Sequence, residues 1–257
     1  MKSLKSLKNI KNKKVLLRAD LNVPIKDGVI VDDFRIKKVV ETIKYLQSKG
    51  AMTIVVSHLG EDGSKSLAPV ALRMKKYLKK IYFCDSEIGS EKTKEAVLGI
   101  KTGEVLLLEN LRKNEGEKKN DKNFAKTLAS FADFFVNDAF SVCHREHASV
   151  VGVPKYLPSY AGFQLQFEVE NLSKAFKAKH PFVFILGGAK FETKIPLVKK
   201  FLKLADHVFI GGAIANDFIK EKGFEVGKSL VGDNSKIVLP LLKNKKIILP
   251  KDVLVND

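Results

Sequence analysis

Short apolar runs alternate with helix-period segments along the whole chain, and nothing else in the sequence restricts the fold as strongly. The runs at 15–19, 52–57, 81–84, 105–108 and 134–136, then 182–186, 207–210 and 247–249, have the length of strands. Between them, apolar residues recur at helical spacing over 35–49, 67–80, 123–132, 193–205 and 214–223, with Gly50 as a stop after the first. Such alternation predicts an α/β architecture, with parallel sheets covered by helices on both faces. The pattern breaks between 150 and 181, where VGVPKYLPSYAGF carries two Pro and two Gly. QLQFEVENLSKAFKAK (164–179) then reads as one long helix, and HPFVFILGG restarts the strand pattern. The break predicts two domains, 1–163 and 181–257, joined by a helix over 164–180.

In open parallel sheets ligands bind at the C-terminal ends of strands, where loops and helix N-termini converge. Five arginines stand among 41 lysines, and four of the five lie beside apolar runs. Arg18 closes KVLLR, Arg112 closes VLLLENLR, Arg145 follows FFVNDAFSVCH, and Arg35 opens an amphipathic run; Arg73 alone sits inside an ordinary helical pattern. Arg offers a planar fork of donors suited to carboxylate or phosphate, where Lys serves any solvated position. The same strand ends carry Asp20 and Asn22 in RADLNVP, His58 in SHLG, and His144 and His147 beside Arg145. Together they describe a site for a small, multiply charged anion. No metal site is expected, because the cysteines lack CxxC spacing and Arg145 would repel a cation. No GxSxG nucleophile elbow is present to suggest a hydrolase.

The second half carries a different signal. LGGAKFETK (186–194) and FIGGAIAND (209–217) each place two glycines directly after a strand, the first with Lys190 and Lys194. Glycines let backbone approach phosphate closely, and a helix N-terminus adds free N–H donors. Two such pairs after consecutive strands predict a nucleotide-phosphate site, although neither matches GxxxxGK[ST].

The net charge of +17 is spread evenly, +9 over residues 1–170 and +8 over the remainder, with no basic arm and no Trp. Specific nucleic-acid binding is therefore not expected; weak, salt-sensitive attraction to polyanions is. No apolar run approaches the roughly 20 residues that span a bilayer, and no signal sequence follows the basic N-terminus. With two cysteines and no disulfide framework, a reduced cytoplasm is the expected compartment.

RADLNVP…DDFRI, VVSHLG, VLLLENLR, VNDAFSVCHREHASVVGV and FILGGAKFETKI, in this order, together resemble the phosphoglycerate kinase family. The resemblance implies two Rossmann-like parallel-sheet domains: an N-terminal one for 3-phosphoglycerate or 1,3-bisphosphoglycerate, and a C-terminal one for Mg-ATP or Mg-ADP. A monomer is implied, with a hinge that closes the cleft for phosphoryl transfer. It places Arg18, Asp20, Asn22, Arg35, His58, Arg112, His144, Arg145 and His147 on the phosphoglycerate side. Gly188, Lys190, Lys194, Gly211, Gly212 and Leu230 fall on the nucleotide side, with Arg35 and Lys190 as the catalytic pair.

Departures from the family pattern stand at Glu61, where Arg is usual, at Thr193 for Asp, and at Ala213 for a third Gly. Glu61 is expected to weaken anion binding unless it turns to solvent or Lys65 compensates. ILPKDVLVND (248–257) matches a segment in the middle of the family's second domain. The expectation is thus an incomplete second domain, with the metal-binding Asp beyond the last residue. The alternative function is a non-catalytic phosphoglycerate-binding protein.

Overall fold

A computed structural model describes every residue except 190, 233 and 255–257, together with the side chain of 235. It forms two compact units, Met1–Asn171 and Leu172–Asp257.

The first unit is built on β1 (Lys14–Arg18), a small hairpin of β2 (Ile25–Lys26) and β3 (Val29–Ile30), and α1 (Phe34–Ser48). There follow β4 (Met52–Val56), α2 (Ala68–Met74), β5 (Ile81–Cys84), α3 (Glu91–Gly99), β6 (Val105–Leu108), α4 (Glu115–Lys118) and α5 (Lys122–Ser130). β7 (Phe134–Asn137), β8 (Ser159–Ala161) and α6 (Phe163–Lys174) complete the sequence up to the junction. Six strands pair in the order β5-β6-β4-β1-β7-β8, every pair parallel. Successive residues of a strand face opposite sides. Val15 and Leu17 accordingly pack with Ile36, Val39 and Ile43 of α1, while Leu16 packs with Phe124 and Leu128 of α5 on the other side. Both faces are dry, so the strands read as continuous apolar runs rather than alternating ones.

The second unit contains β9 (Val183–Leu186), α7 (Ile195–Leu204), β10 (His207–Ile210), α8 (Ala213–Glu221), α9 (Ser235–Leu242) and β11 (Ile247–Ile248). Its sheet runs β11-β10-β9, again parallel. Phe184 stacks on Phe201 at 3.8 Å between ring centres, and Phe191 meets Phe218 edge-on. The outer strand β9 covers only one side: Leu186 is buried, while Val183 and Ile185 are exposed. One apolar face of this edge strand is therefore left open.

The observed strands follow the apolar runs to within one residue at most ends. The helix read over 67–80 is shorter, since backbone bonds beyond Met74 loosen into turns as Tyr77 reaches out to Asp33. The helix read over 164–179 spans Phe163–Lys174 and tightens into a 3₁₀ turn to Lys177. Arg73 is more than an ordinary helix residue: it binds Asp33 at 2.8 Å and the Ile30 carbonyl, tying α2 to the hairpin and to the start of α1.

Leu107 lies on β6, an interior strand of the first unit's sheet, with no exposure, whereas Val183 stands half-exposed on β9. Leu107→Ala should cost about 2–5 kcal/mol in denaturant unfolding, and Val183→Ala less than about 0.5 kcal/mol. Equal effects would contradict the placement of the two cores.

Candidate anion site at the strand ends

All strands of the first sheet run in one direction, so β1, β4, β6 and β7 deliver their C-terminal residues to a single edge. Arg18, the last residue of β1, is completely buried. Its Nε donates to Ser149 Oγ at 3.0 Å, Nη1 to the Ala19 carbonyl at 2.6 Å, and Nη2 to His58 Nδ1 at 3.1 Å. A guanidinium can only donate, so His58 must accept at Nδ1 and carry its proton on Nε2. Burial pushes the His58 pKa down to about 2, with help from the charges of Arg18, Arg112 and Arg145. His58 is thus a neutral donor facing a cationic cluster.

Arg18 is held by a buried acid that sequence reasoning missed. Glu117, without exposure, accepts from Ser149 N at 2.9 Å and Ser149 Oγ at 2.6 Å, and its Oε1 lies 3.7 Å from His147 Nδ1. Burial works to raise the Glu117 pKa, but the His147 imidazole, the Arg18 charge and the Ser149 bonds together hold it below the usual carboxylate range. Ser149 is placed by a single π-helical turn, Ala148–Gly152, of a kind frequent at functional sites. Nothing in RKNEGEKK marks Glu117, because its partner Ser149 lies 32 residues away.

Asp20, just past β1, accepts Arg35 Nη1 on both oxygens at 2.9 and 2.8 Å, and Ser141 Oγ at 2.8 Å. Arg35 occupies the first turn of α1 with its side chain half-exposed. The pair borders a cavity of about 360 Å³ that Phe34, Lys38 and Ser141 also line. Asn22 Oδ1 accepts from Gly60 N at 3.0 Å, pinning the turn after His58.

Arg112 is buried on a 3₁₀ turn after β6; its Nη1 donates to the Gly60 carbonyl and, at 3.0 Å, to Glu61 Oε2. The same Glu61 oxygen lies 3.8 Å from Arg145 Nη1. Glu61 is therefore largely in solvent and still pairs with two of the site's arginines. Arg112 Nε and Nη2, and Arg145 Nε, are buried without a hydrogen-bond partner among the described residues. Gly63 is required here, since a Cβ at φ +86° would lie 2.1 Å from the Arg112 carbonyl oxygen.

Asp138, one residue beyond β7, is a second buried acid missed in the sequence. Its Oδ1 accepts from Gln164 N and Leu165 N, capping α6, while its own N–H donates to the Arg18 carbonyl at 2.8 Å. Burial raises its pKa. Of the residues read for this site, Arg18, Asp20, Asn22, Arg35, His58, Arg112, Arg145 and His147 come together through these links. His144 lies exposed on the same segment, with no side-chain partner among the described residues.

In the second unit the two Gly-Gly turns lie side by side. Gly211 N donates to the Leu186 carbonyl at 2.8 Å and Ile214 N to the Gly188 carbonyl at 3.0 Å. Gly188 has φ +131° with the Lys194 stem against it, and Gly212 has φ +62° as the cap of α8. The exposed Leu230 sits on a loop whose carbonyl accepts Asn216 Nδ2 at 3.1 Å. Buried Asp217 anchors that loop by accepting Gly232 N at 2.7 Å and Asn234 Nδ2 at 2.9 Å. Lys190 lies outside the described residues. Among the described residues no three His, Cys, Asp or Glu side chains converge as metal ligands. The Gly-Gly turns and Lys194 suit phosphate oxygens rather than a bare cation.

Residues 4–257 match the family model described as phosphoglycerate kinase. Over 260 residues the chain is 47% identical to a phosphoglycerate kinase of Wolbachia sp. subsp. Drosophila simulans (strain wRi), covering 96% of this chain and 65% of that protein. It is 45% identical to one from Clostridium beijerinckii, covering 95% and 65%. The crystal structure of the Pyrococcus horikoshii OT3 enzyme superposes with a TM-score of 0.87 at 32% identity, covering 97% of this chain and 67% of the other. The Coxiella burnetii structure gives 0.79 at 37% identity, covering 96% and 65%. The chain spans about 65% of the length of the curated relatives it matches.

The buried cluster makes the first unit sensitive to acid. The unfolded histidine protonates near pH ~6.5, and His58 in the fold only near 2. The unfolded chain therefore takes up that proton first, and stability falls as pH drops below about 6.5. Glu117 acts in the same sense: its contribution is full above the unfolded carboxylate value and is lost as pH falls through the lower folded one. Glu117→Gln should destabilise the unit by about 3–5 kcal/mol at neutral pH, since buried Arg18 loses its countercharge. The acid side of its stability profile should also flatten. Denaturant unfolding from about pH 7 to about 3 checks both, with the flattening read below the unfolded carboxylate value; a variant as stable as the parent would refute the pairing.

Proposed function

The chain belongs to the phosphoglycerate kinase family, and from that premise we propose that it transfers a phosphoryl group reversibly between adenine nucleotide and 3-phosphoglycerate. The observation that carries this reading is the set of buried guanidinium donors on Arg112 and Arg145 that find no acceptor among the described residues. Unpaired buried donors on charged groups are costly, and an anion with several oxygens relieves the cost. A phosphate ester that also bears a carboxylate fits a strand edge where Arg112 and Arg145 lie by a neutral His58 donor, with the Asp20–Arg35 pair at the same sheet edge. The first unit is the phosphoglycerate side in this reading, and the Gly-Gly turns of the second take the nucleotide.

In the forward transfer to 3-phosphoglycerate, its carboxylate oxygen attacks the terminal phosphorus of ATP. The P–O bond to ADP breaks, and 1,3-bisphosphoglycerate leaves. Both the attacking carboxylate and the leaving diphosphate are already ionised, so no side chain has to remove a proton. The residues serve to position the anion and balance charge on the equatorial oxygens. Mg²⁺ arrives with the nucleotide as part of that substrate and neutralises its phosphate oxygens. Asp20 holds Arg35 by one nitrogen, leaving Nε and Nη2 to meet developing charge. Lys190 is the proposed cation from the nucleotide side, and Gly188, Lys194, Gly211, Gly212 and Leu230 the nucleotide contacts. Free Cys84 and Cys143 agree with a reducing cytoplasm, and no helix among the described residues is long and apolar enough to cross a membrane. We propose a monomer acting there.

Calorimetry with 3-phosphoglycerate, alongside a coupled ATP assay on the same chain, tests this function. Arg145→Ala should weaken 3-phosphoglycerate binding at least tenfold, as expected when a charged hydrogen-bond donor is lost, about 1.5–3 kcal/mol. Arg35→Ala should lower kcat more than it raises KM, because its strongest contacts form in the transition state. Binding without turnover restricts the chain to capture of phosphoglycerate. No binding, with Arg145→Ala indistinguishable from the parent, refutes the substrate assignment.

A further inference from the structure

Glu61 places one negative oxygen between two cations that have further donors to spare. Its Oε2 stands 3.0 Å from Arg112 Nη1 and 3.8 Å from Arg145 Nη1. Its side chain is nonetheless 76% exposed, while that of Arg112 is 1% exposed. The carboxylate therefore touches the guanidinium pair from the solvent side, and Arg112 Nε and Nη2 and Arg145 Nε have no hydrogen-bond partner among the described residues.

We propose that Glu61 is a resident anion which shares the Arg112–Arg145 pair with the incoming phosphorylated acid, so that ligand binding proceeds by displacing the Glu61 side chain. The inference rests on reading this edge as the phosphoglycerate site, and it names a residue that sets affinity there. Two neighbouring guanidinium groups repel each other when nothing lies between them. A carboxylate on a well-fixed turn removes that repulsion in the absence of ligand. The turn is fixed on both sides of Gly60, whose N–H donates to Asn22 Oδ1 and whose carbonyl accepts from Arg112 Nη1. Backbone and Arg112 can thus stay in place while the Glu61 side chain rotates into water.

The magnitudes favour displacement. With its carboxylate largely in solvent, Glu61 is screened by water and holds the pair weakly, although Arg112 itself is buried. A multiply charged phosphate can engage the same nitrogens and the unmet ones as well, which Glu61 does not satisfy. Glu61 consequently lowers the apparent affinity for any anion that needs this pair and speeds its release. A carboxylate held here also favours ligands of higher charge, since a weak monoanion gains little by replacing one carboxylate with another.

The test compares the full chain with Glu61→Gln, which keeps the side-chain size and removes the charge, and with Glu61→Asp, which keeps the charge and shortens the reach. Calorimetry at fixed ionic strength uses 3-phosphoglycerate and, separately, inorganic phosphate. Glu61→Gln should bind both about 2- to 5-fold more tightly, the range a solvent-screened carboxylate allows, with Glu61→Asp in between. The difference from the parent should shrink as sodium chloride is raised. Unchanged or weaker binding by Glu61→Gln, with the melting temperature preserved, overturns the proposal. If phosphate tightens while 3-phosphoglycerate binds neither chain, the resident-anion role stands and the phosphoglycerate reading falls. If 3-phosphoglycerate binds both equally and Arg145→Ala weakens it, the reading stands and the role of Glu61 falls. Absence of binding by either probe to either chain overturns both.

Discussion

The guanidinium of Arg18 is wholly removed from water at the end of the central strand, and much of the anion site takes its arrangement from the need to satisfy it. Such a charge is tolerated only when its donors and its field are both met. The donors go to Ser149, the Ala19 carbonyl and His58; the field is met by Glu117 and Asp20. Burial still presses the Arg18 pKa downward, with those two carboxylates opposing it. Each partner transmits a constraint. Ser149 is locked onto Glu117, which sets the turn that follows Arg145 and His147. His58 loses its capacity to accept a proton and becomes a neutral donor. A cation bound wholly by protein groups thereby fixes the residues of the candidate site around it.

The site's arginines are graded by how firmly protein anions hold them. Glu117 on Arg18 is buried and effectively permanent, because separating the two would leave a bare charge in the interior. Asp20 holds Arg35 with both oxygens on one nitrogen, at a partly open position, so orientation is fixed while other donors stay available. Glu61 holds Arg112 and Arg145 from solvent, in the regime where ion pairs contribute little. The gradient runs from structural to exchangeable charge across one sheet edge. Under the proposed function, the arginines that protein anions hold least are the ones left for a ligand.

Much of this was legible in the sequence because parallel topology converts linear order into proximity. Runs ending at Arg18, Val56, Leu108 and Asn137 belong to adjacent strands, so the residues after them had to meet. The pieces that escaped lack a local signature. Helix α3 (EKTKEAVLG) buries only Thr93 and Val97 and is started by Ser90 accepting from the Thr93 N–H, too little apolar content to announce a helix. Helix α9 (SKIVLPLL) is apolar nearly all round with Pro240 inside, so periodicity does not separate it from a strand. Glu117, Asp138 and Ser149 depend on partners more than 25 residues away, and no spacing rule reveals them. Arg73 looked like surface charge because Asp33, its partner, lies 40 residues earlier.

The two candidate edges differ in their physics, and this explains which sequence departures each can absorb. The first unit's edge is built from charged side chains, so exchanging a cation for Glu61 alters the electrostatics directly. At the second unit's edge, the Gly-Gly turns offer backbone, and what matters is conformation. Gly212 carries the positive φ of +62°, and a Cβ there would meet Gly188 N at 2.9 Å, so that glycine cannot be replaced. Ala213 is already the first residue of α8, where helical geometry suits an L-residue and a third glycine adds only backbone entropy. The substitution therefore leaves the turn's geometry intact and, if anything, favours the helix whose N-terminus stands beside Gly188. The glycine count of a phosphate turn is a poor guide to its competence. The residue with φ above zero, and the atoms its missing Cβ would strike, decide it.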